Sequence, residues 1–192
     1  MDAAHMVIDN CHDEMCLQIR ALQIGGGAQE GAAFGPRRGQ QAGARQGDAE
    51  MLGRLLASGL PANLRNHKGD TLLMLAAYHG HVEAVKVLLE HKADPEIRND
   101  NGQSPIAGAA FKGDLPVVTA LIEGGAEIEG SSFDGRTALM MAAMFNRTAI
   151  VDYLISKGAD PRAKDANGIT ALDAAKTMGA TDTTAQLQKI LG

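Results

Sequence analysis

The feature that most constrains this chain is one segment that returns at a constant interval, starting at Gly69, Gly102, Gly135 and Gly168. It first reads Gly69-Asp70-Thr71-Leu72-Leu73-Met74-Leu75-Ala76-Ala77-Tyr78-His79-Gly80-His81. It returns from Gly102 to Asp114, from Gly135 to Arg147 and from Gly168 to Gly179. A second signature keeps the same phase: Lys92-Ala93-Asp94, Gly125-Ala126-Glu127 and Gly158-Ala159-Asp160. Such self-similarity marks one supersecondary unit stacked several times, each copy burying its apolar face only against its neighbours.

One unit is legible from its chemistry. Thr71, Ser104, Thr137 and Thr170 stand directly before apolar helical runs, where a hydroxyl caps orphan amides. The Ala pairs that follow are small enough for a first helix to lie close against its neighbours. Gly80 and Gly113 fall where that helix must stop, and glycine accepts the left-handed backbone there. A second helix follows, as in Val82-Glu83-Ala84-Val85-Lys86-Val87-Leu88-Leu89, with apolar residues at the spacing of one buried face. The Gly-Ala-Asp segment then turns outward into a finger-like loop.

These motifs, with Gly-x-Thr-x-Leu, the Ala pair and Gly-Ala-Asp in fixed phase, resemble the ankyrin repeat over roughly three quarters of the chain. The units are similar to those of small stand-alone bacterial ankyrin proteins. The resemblance implies an all-α solenoid of stacked helix-turn-helix units with finger-like loops. On this reading residues 40–192 form the repeat domain. Its units run about 40–65, 66–98, 99–131, 132–164 and 165–192. The first is a degraded cap in which Pro36, Arg38, Gln40 and Gly43 depart from the pattern, with a second helix over roughly Ala49–Ser58 whose face is Met51, Leu52, Leu55 and Leu56. The last ends in a polar helix, Thr183–Leu191, and reads as a C-terminal cap. One further departure concerns the His that many ankyrin units place in Thr-Pro-Leu-His. Met74, Ala107, Met140 and Asp173 stand there, so the hydrogen bonds that His makes between units are expected to be replaced by methionine packing, with some loss of rigidity.

Residues 1–39 share nothing with the repeats. Eight glycines lie between Gly25 and Gly47, and no lysine precedes Lys68. The expectation is a disordered or atypical extension. A mis-assigned start or reading frame upstream of about Ala42 is the alternative, and the intact mass of the native protein separates the two.

Composition excludes several classes. No apolar run approaches the roughly 20 residues of a bilayer span. Asp2, Asp9, Asp13 and Glu14 stand where a signal peptide needs positive charge. A net charge of −5 disfavours nucleic acid. The expectation is a soluble, cytoplasmic monomer without membrane or nucleic-acid partners. Cys11 and Cys16 are the only cysteines, so no disulfide framework holds the fold. Their Cys-x4-Cys spacing, with His12, Asp13 and Glu14, lacks the second ligand pair of a zinc site. His79-Gly80-His81 forms at most a two-ligand hook, and Gly25-Gly26-Gly27 lacks the Lys-Ser/Thr of a phosphate loop. No catalytic constellation stands out, and no cofactor or metal is expected.

In ankyrin proteins the finger tips and the exposed side of the first helices line a concave groove that grips partner proteins. Carried over by position, the finger tips are His67, Lys68, Asp70, Asp100, Asn101, Gln103, Phe133, Asp134 and Arg136. The groove residues are Tyr78, His79, Phe111, Lys112, Met144 and Phe145. Only six residues are aromatic, and Tyr78, Phe111, Phe133 and Phe145 all fall in this set. They read either as binding anchors in a stripe roughly 20 Å long or as rings packed between units. The resemblance thus implies a non-enzymatic module for an unidentified protein partner. A regulatory or inhibitory subunit of an enzyme, or an exported effector, is the alternative.

Overall fold

The computed structural model describes residues 47–192. The degraded first helix of the first unit, the Cys11–Cys16 cluster and the glycine-rich stretch lie almost wholly outside these residues. Nine helices form among the described residues, joined by turns and loops and without a named strand. They are α1 (Ala49–Ala57), α2 (Leu72–Tyr78), α3 (Val82–Glu90), α4 (Pro105–Lys112), α5 (Leu115–Glu123), α6 (Ala138–Met144), α7 (Thr148–Ser156), α8 (Ala171–Met178) and α9 (Thr181–Leu191). The chain is an all-α repeat solenoid.

Two layers follow from the two helix types. First helices α2, α4, α6 and α8 pack in a row, and second helices α1, α3, α5, α7 and α9 form the row behind. The Ala pairs make the first row close. Ala76, Ala77, Ala109, Ala110, Ala142, Ala143, Ala174 and Ala175 are all buried, because any larger side chain would separate the helices. The second row is sealed by Leu88, Leu121, Leu154 and Leu187, which share one phase of the repeat and are fully buried. Burying one such leucine stabilises by about 1.5–3 kcal/mol relative to exposure. In α1, Leu52 and Leu56 face this core, whereas Met51 is exposed.

Three of the four expected caps form. Thr71, Thr137 and Thr170 accept the amides of Met74, Met140 and Asp173 with their hydroxyls, and Asp173 completes a capping box with Thr170. Ser104 does not cap: its hydroxyl is buried and makes no hydrogen bond among the described residues. Gly80, Gly113 and Gly179 end first helices with positive φ, and Asn146 takes that backbone at φ 58° in the third full unit.

Methionine packing is only part of what joins the units. Met74 and Met140 are indeed buried, but a polar ladder runs along the fingers. Asn63, Glu96 and Glu129, again one repeat apart, accept the backbone amides of Asp94, Glu127 and Asp160 at 2.7–2.9 Å. Each bond is between one finger and the next. Arg65 adds an inter-finger bond to the Arg98 carbonyl at 2.9 Å. Inside each finger a residue of the same phase closes the turn. Asn66, Asn99 and Asp165 accept two backbone amides each through Oδ1, and Ser132 accepts that of Arg136 through its hydroxyl. The expected loss of rigidity therefore meets a compensating set of hydrogen bonds, each worth about 0.5–1.5 kcal/mol net.

Candidate partner-binding groove

The ends of the first helices bring three rings together. Tyr78 and Phe111 hold the same position in successive units, so they leave equivalent turns of α2 and α4 in the same direction. They stack with centroids 6.3 Å apart and planes 9° from parallel. In the next unit Met144 holds that position and Phe145 comes one place later, so the register change turns its ring. It meets Phe111 edge-on, 4.4 Å away at 76°. All three rings are half-buried. The stripe is thus a ladder of touching rings, shorter than the roughly 20 Å expected from helix spacing, because the rings lean together. Such contacts add about 0.5–1.5 kcal/mol each beyond area burial.

Lys112 is exposed and lies with Nζ 5.0 Å from the Tyr78 ring centroid, a cation–π contact. His79 meets the edge of Tyr78 at 5.4 Å, and His81 is 6.1 Å from His79. Among the described residues no group of three or more His, Cys, Asp or Glu gathers as metal ligands. Arg147 packs over Gly113 and donates through Nε to the Phe111 carbonyl at 3.3 Å. The sequence reading overlooked this cation, although it follows directly on Phe145 and Asn146.

The finger residues divide. His67, Asp100, Asn101 and Gln103 are exposed at the tips, with Lys68 half-buried behind them. Asp100 lies 3.5 Å from Arg65, and Gln103 accepts from Asn99. Phe133 is 72% exposed, its ring lying over Gly102 of the preceding finger, where only glycine leaves room. Asp70 is no tip residue. It is buried, and its two carboxylate oxygens accept the side-chain amides of Asn99 at 2.8 Å and Asn66 at 3.1 Å, fastening two fingers together. Arg136 is no open cation either: its Nε stands 3.2 Å from Asp134 and 3.8 Å from Asp165. The Ser132 hydroxyl donates to Asp134 and, with Arg136 beside it, holds that carboxyl below its ordinary pKa.

Beyond the ring ladder lies a shallow concavity between α6 and α8. Met140 and Met144 line it from α6, Ala174, Thr177 and Met178 from α8, and Ile169 from the finger, with Arg136 and Asp165 at one side. Met178 and Ile169 are exposed large apolar residues. Sequence reasoning named Met144 but stopped at the third full unit. The phase itself carries the signal, since positions 78, 111, 144 and 177 are equivalent, as are 79, 112, 145 and 178.

Comparison with known proteins agrees with this architecture. The family described as ankyrin repeats (3 copies) matches residues 41–132 and 108–189, more than half of the chain. The chain belongs to the ankyrin-repeat family, whose members are in general protein–protein interaction modules rather than enzymes. It is 64% identical over 44 residues to an ankyrin repeat protein of Pseudomonas aeruginosa, PA3287, covering 23% of this chain and 26% of that one. It is 48% identical over 46 residues to a protein of Oryza sativa subsp. japonica named as an E3 ubiquitin-protein ligase, XBOS32, covering 24% of this chain and 9% of that one. The aligned stretches therefore span about a quarter and a tenth of these relatives' lengths. Among the described residues no helix is long and apolar enough to cross a membrane.

Proposed function

We propose that this chain is a non-enzymatic binding module that grips a protein partner along the ring ladder and the adjoining finger tips. The observation that carries the reading is the continuous contact of Tyr78, Phe111 and Phe145 at the ends of three successive first helices, with each ring half open. Rings fixed by their neighbours lose little conformational freedom on binding, which favours them as anchors. Phe133, the most exposed ring among the described residues, extends the surface onto the fingers. His79, Lys112 and Met144 lie along the ladder, and His67, Lys68, Asp100 and Gln103 add polar groups on the fingers. Asp70 belongs to the support beneath, while Arg136, ion-paired with Asp134 and Asp165, stands at the side of the adjoining concavity. The cytoplasm is the compartment proposed, and fractionation of the native source checks it.

Affinity capture with mass spectrometry identifies the partner, and titration calorimetry then compares wild type with Phe111→Ala and Phe145→Ala. Each variant is expected to weaken binding by at least about 2 kcal/mol. Wild-type affinity in both, with circular dichroism showing folded protein, sinks the reading and leaves the rings as inter-unit packing.

A further inference from the structure

The ring ladder stops one unit early. In equivalent positions 78, 111, 144 and 177 the chain reads Tyr, Phe, Met, Thr, so the side chain shrinks toward the last unit. The concavity between α6 and α8 opens at that place, lined by Met140, Met144, Thr177, Met178 and Ile169. Met140 and Met144 stand one helical turn apart on α6 and so share one side of that helix. Unbranched thioethers adapt to apolar groups of different shapes. The cation beside them, Arg136, is already engaged by Asp134 and Asp165, two carboxylates that disfavour an anion there. The concavity thus suits an uncharged apolar side chain.

The rest of the ladder has the opposite character. Lys112, over Tyr78, and Arg147, against the Phe111 carbonyl, have no carboxylate partner among the described residues. We propose that the concavity takes, in place of the absent fourth ring, one apolar side chain of a peptide segment of the partner whose carboxylates face Arg147 and Lys112. This rests on the groove reading above and adds the partner's chemistry to it. Helix layers are roughly 10 Å apart and an extended chain rises about 3.3 Å per residue. The acidic residues accordingly fall about three to six positions from the apolar one.

A display selection of random dodecapeptides on the immobilised full chain tests this. Enriched peptides are expected to carry Leu, Ile, Met or Phe with Asp or Glu three to six positions away. In fluorescence polarisation they should bind Met178→Arg and Thr177→Phe at least about tenfold more weakly than wild type. Lys112→Gln with Arg147→Gln should erase the preference for acidic over neutral versions of the same peptide. Thr177→Phe supplies the missing ring from within; if it does not fold, Met178→Arg decides. Absence of enrichment, enrichment without acidic bias, or unchanged affinity for the folded pocket variants overturns the proposal. If Phe111→Ala and Phe145→Ala still weaken the captured partner in that case, the groove reading survives and only this pocket fails.

Discussion

Asn146 caps a helix to which it does not belong. Its side-chain oxygen accepts the backbone amide of Thr183 at 3.0 Å, and that of Asp182 at 3.1 Å, while its amide donates to the Asp182 carboxylate at 2.8 Å. Ala180, the residue preceding α9, has no side chain able to do this. Asn146 also holds positive φ at the end of α6, a conformation it tolerates better than most residues. One residue thus ends one helix and starts another, 36 positions on. Asn146→Ala should lose a cap worth about 0.5–2 kcal/mol and add backbone strain of roughly 1 kcal/mol. Asn146→Gly should lose the cap alone. Urea melts that rank alanine as the milder change would contradict this.

Lys92 is the converse case, a residue in a conformation that does not suit it. Its φ is 65°, whereas Gly59, Gly125 and Gly158 hold the equivalent positions. Replacing a left-handed non-glycine residue relieves about 1–2 kcal/mol, partly offset by the unfolded-chain entropy of glycine. Lys92→Gly should therefore raise the melting temperature by roughly 2–4 °C for each kcal/mol gained. A lower melting temperature would mean that the lysine makes contacts that outweigh its backbone.

The core predictions follow from phase. Leu88→Ala and Leu154→Ala should each cost about 2–5 kcal/mol by leaving cavities. Ala109→Leu or Ala142→Leu should cost about 1–3 kcal/mol by forcing first helices apart. The rings are not neutral either. Phe111→Ala removes contacts to Tyr78 and Phe145 and should lower stability by about 1–2 kcal/mol, short of unfolding the stack. Binding losses in this variant must accordingly be measured well below its melting temperature.

Acid sensitivity has identifiable contributors. The Thr170 hydroxyl and amide donate to Asp173 at 2.6 and 3.2 Å, and hold its pKa below the ordinary 3.8. Asp134 is lowered by the Ser132 hydroxyl and then by Arg136. For a carboxyl with a folded pKa below its unfolded value, the stabilisation is complete above the unfolded value. It is lost as pH falls through the folded one. Melting temperatures should drop on acidification below about pH 4, and Asp134→Asn with Asp173→Asn should flatten part of that drop. An identical pH profile in the double variant would show that other carboxylates carry it.

The helices, the Ala seam and the buried leucines were legible because each depends on spacing within one unit. Thr71, Thr137 and Thr170 were legible for the same reason. The departures involve pairings across units, which spacing alone does not reveal. Asp70 looked like a tip residue, yet Asn99, 29 positions away, draws it inward. Arg136 looked like a rim cation until the next finger presented Asp165. The ring contacts hinge on a single register shift: Phe111 follows Tyr78 by one repeat, but Phe145 lies one place past the next. Its effect on ring angle emerges only when both helix ends are positioned. Asn146 carried a clue, since asparagine tolerates the left-handed turn; its second role required knowing where α9 begins.

The finger ladder has a consequence for how such a protein can change in length. Asn63, Glu96 and Glu129 each offer one acceptor forward, and Asp94, Glu127 and Asp160 each bring one amide that donates to it. A cassette one repeat long, excised or duplicated in register, removes or adds one of each, so every donor still meets an acceptor. Genetic recombination between units therefore leaves no orphaned amide in this ladder at the junction. The array can lengthen or shorten its binding face in whole units, with selection left to act on the rings.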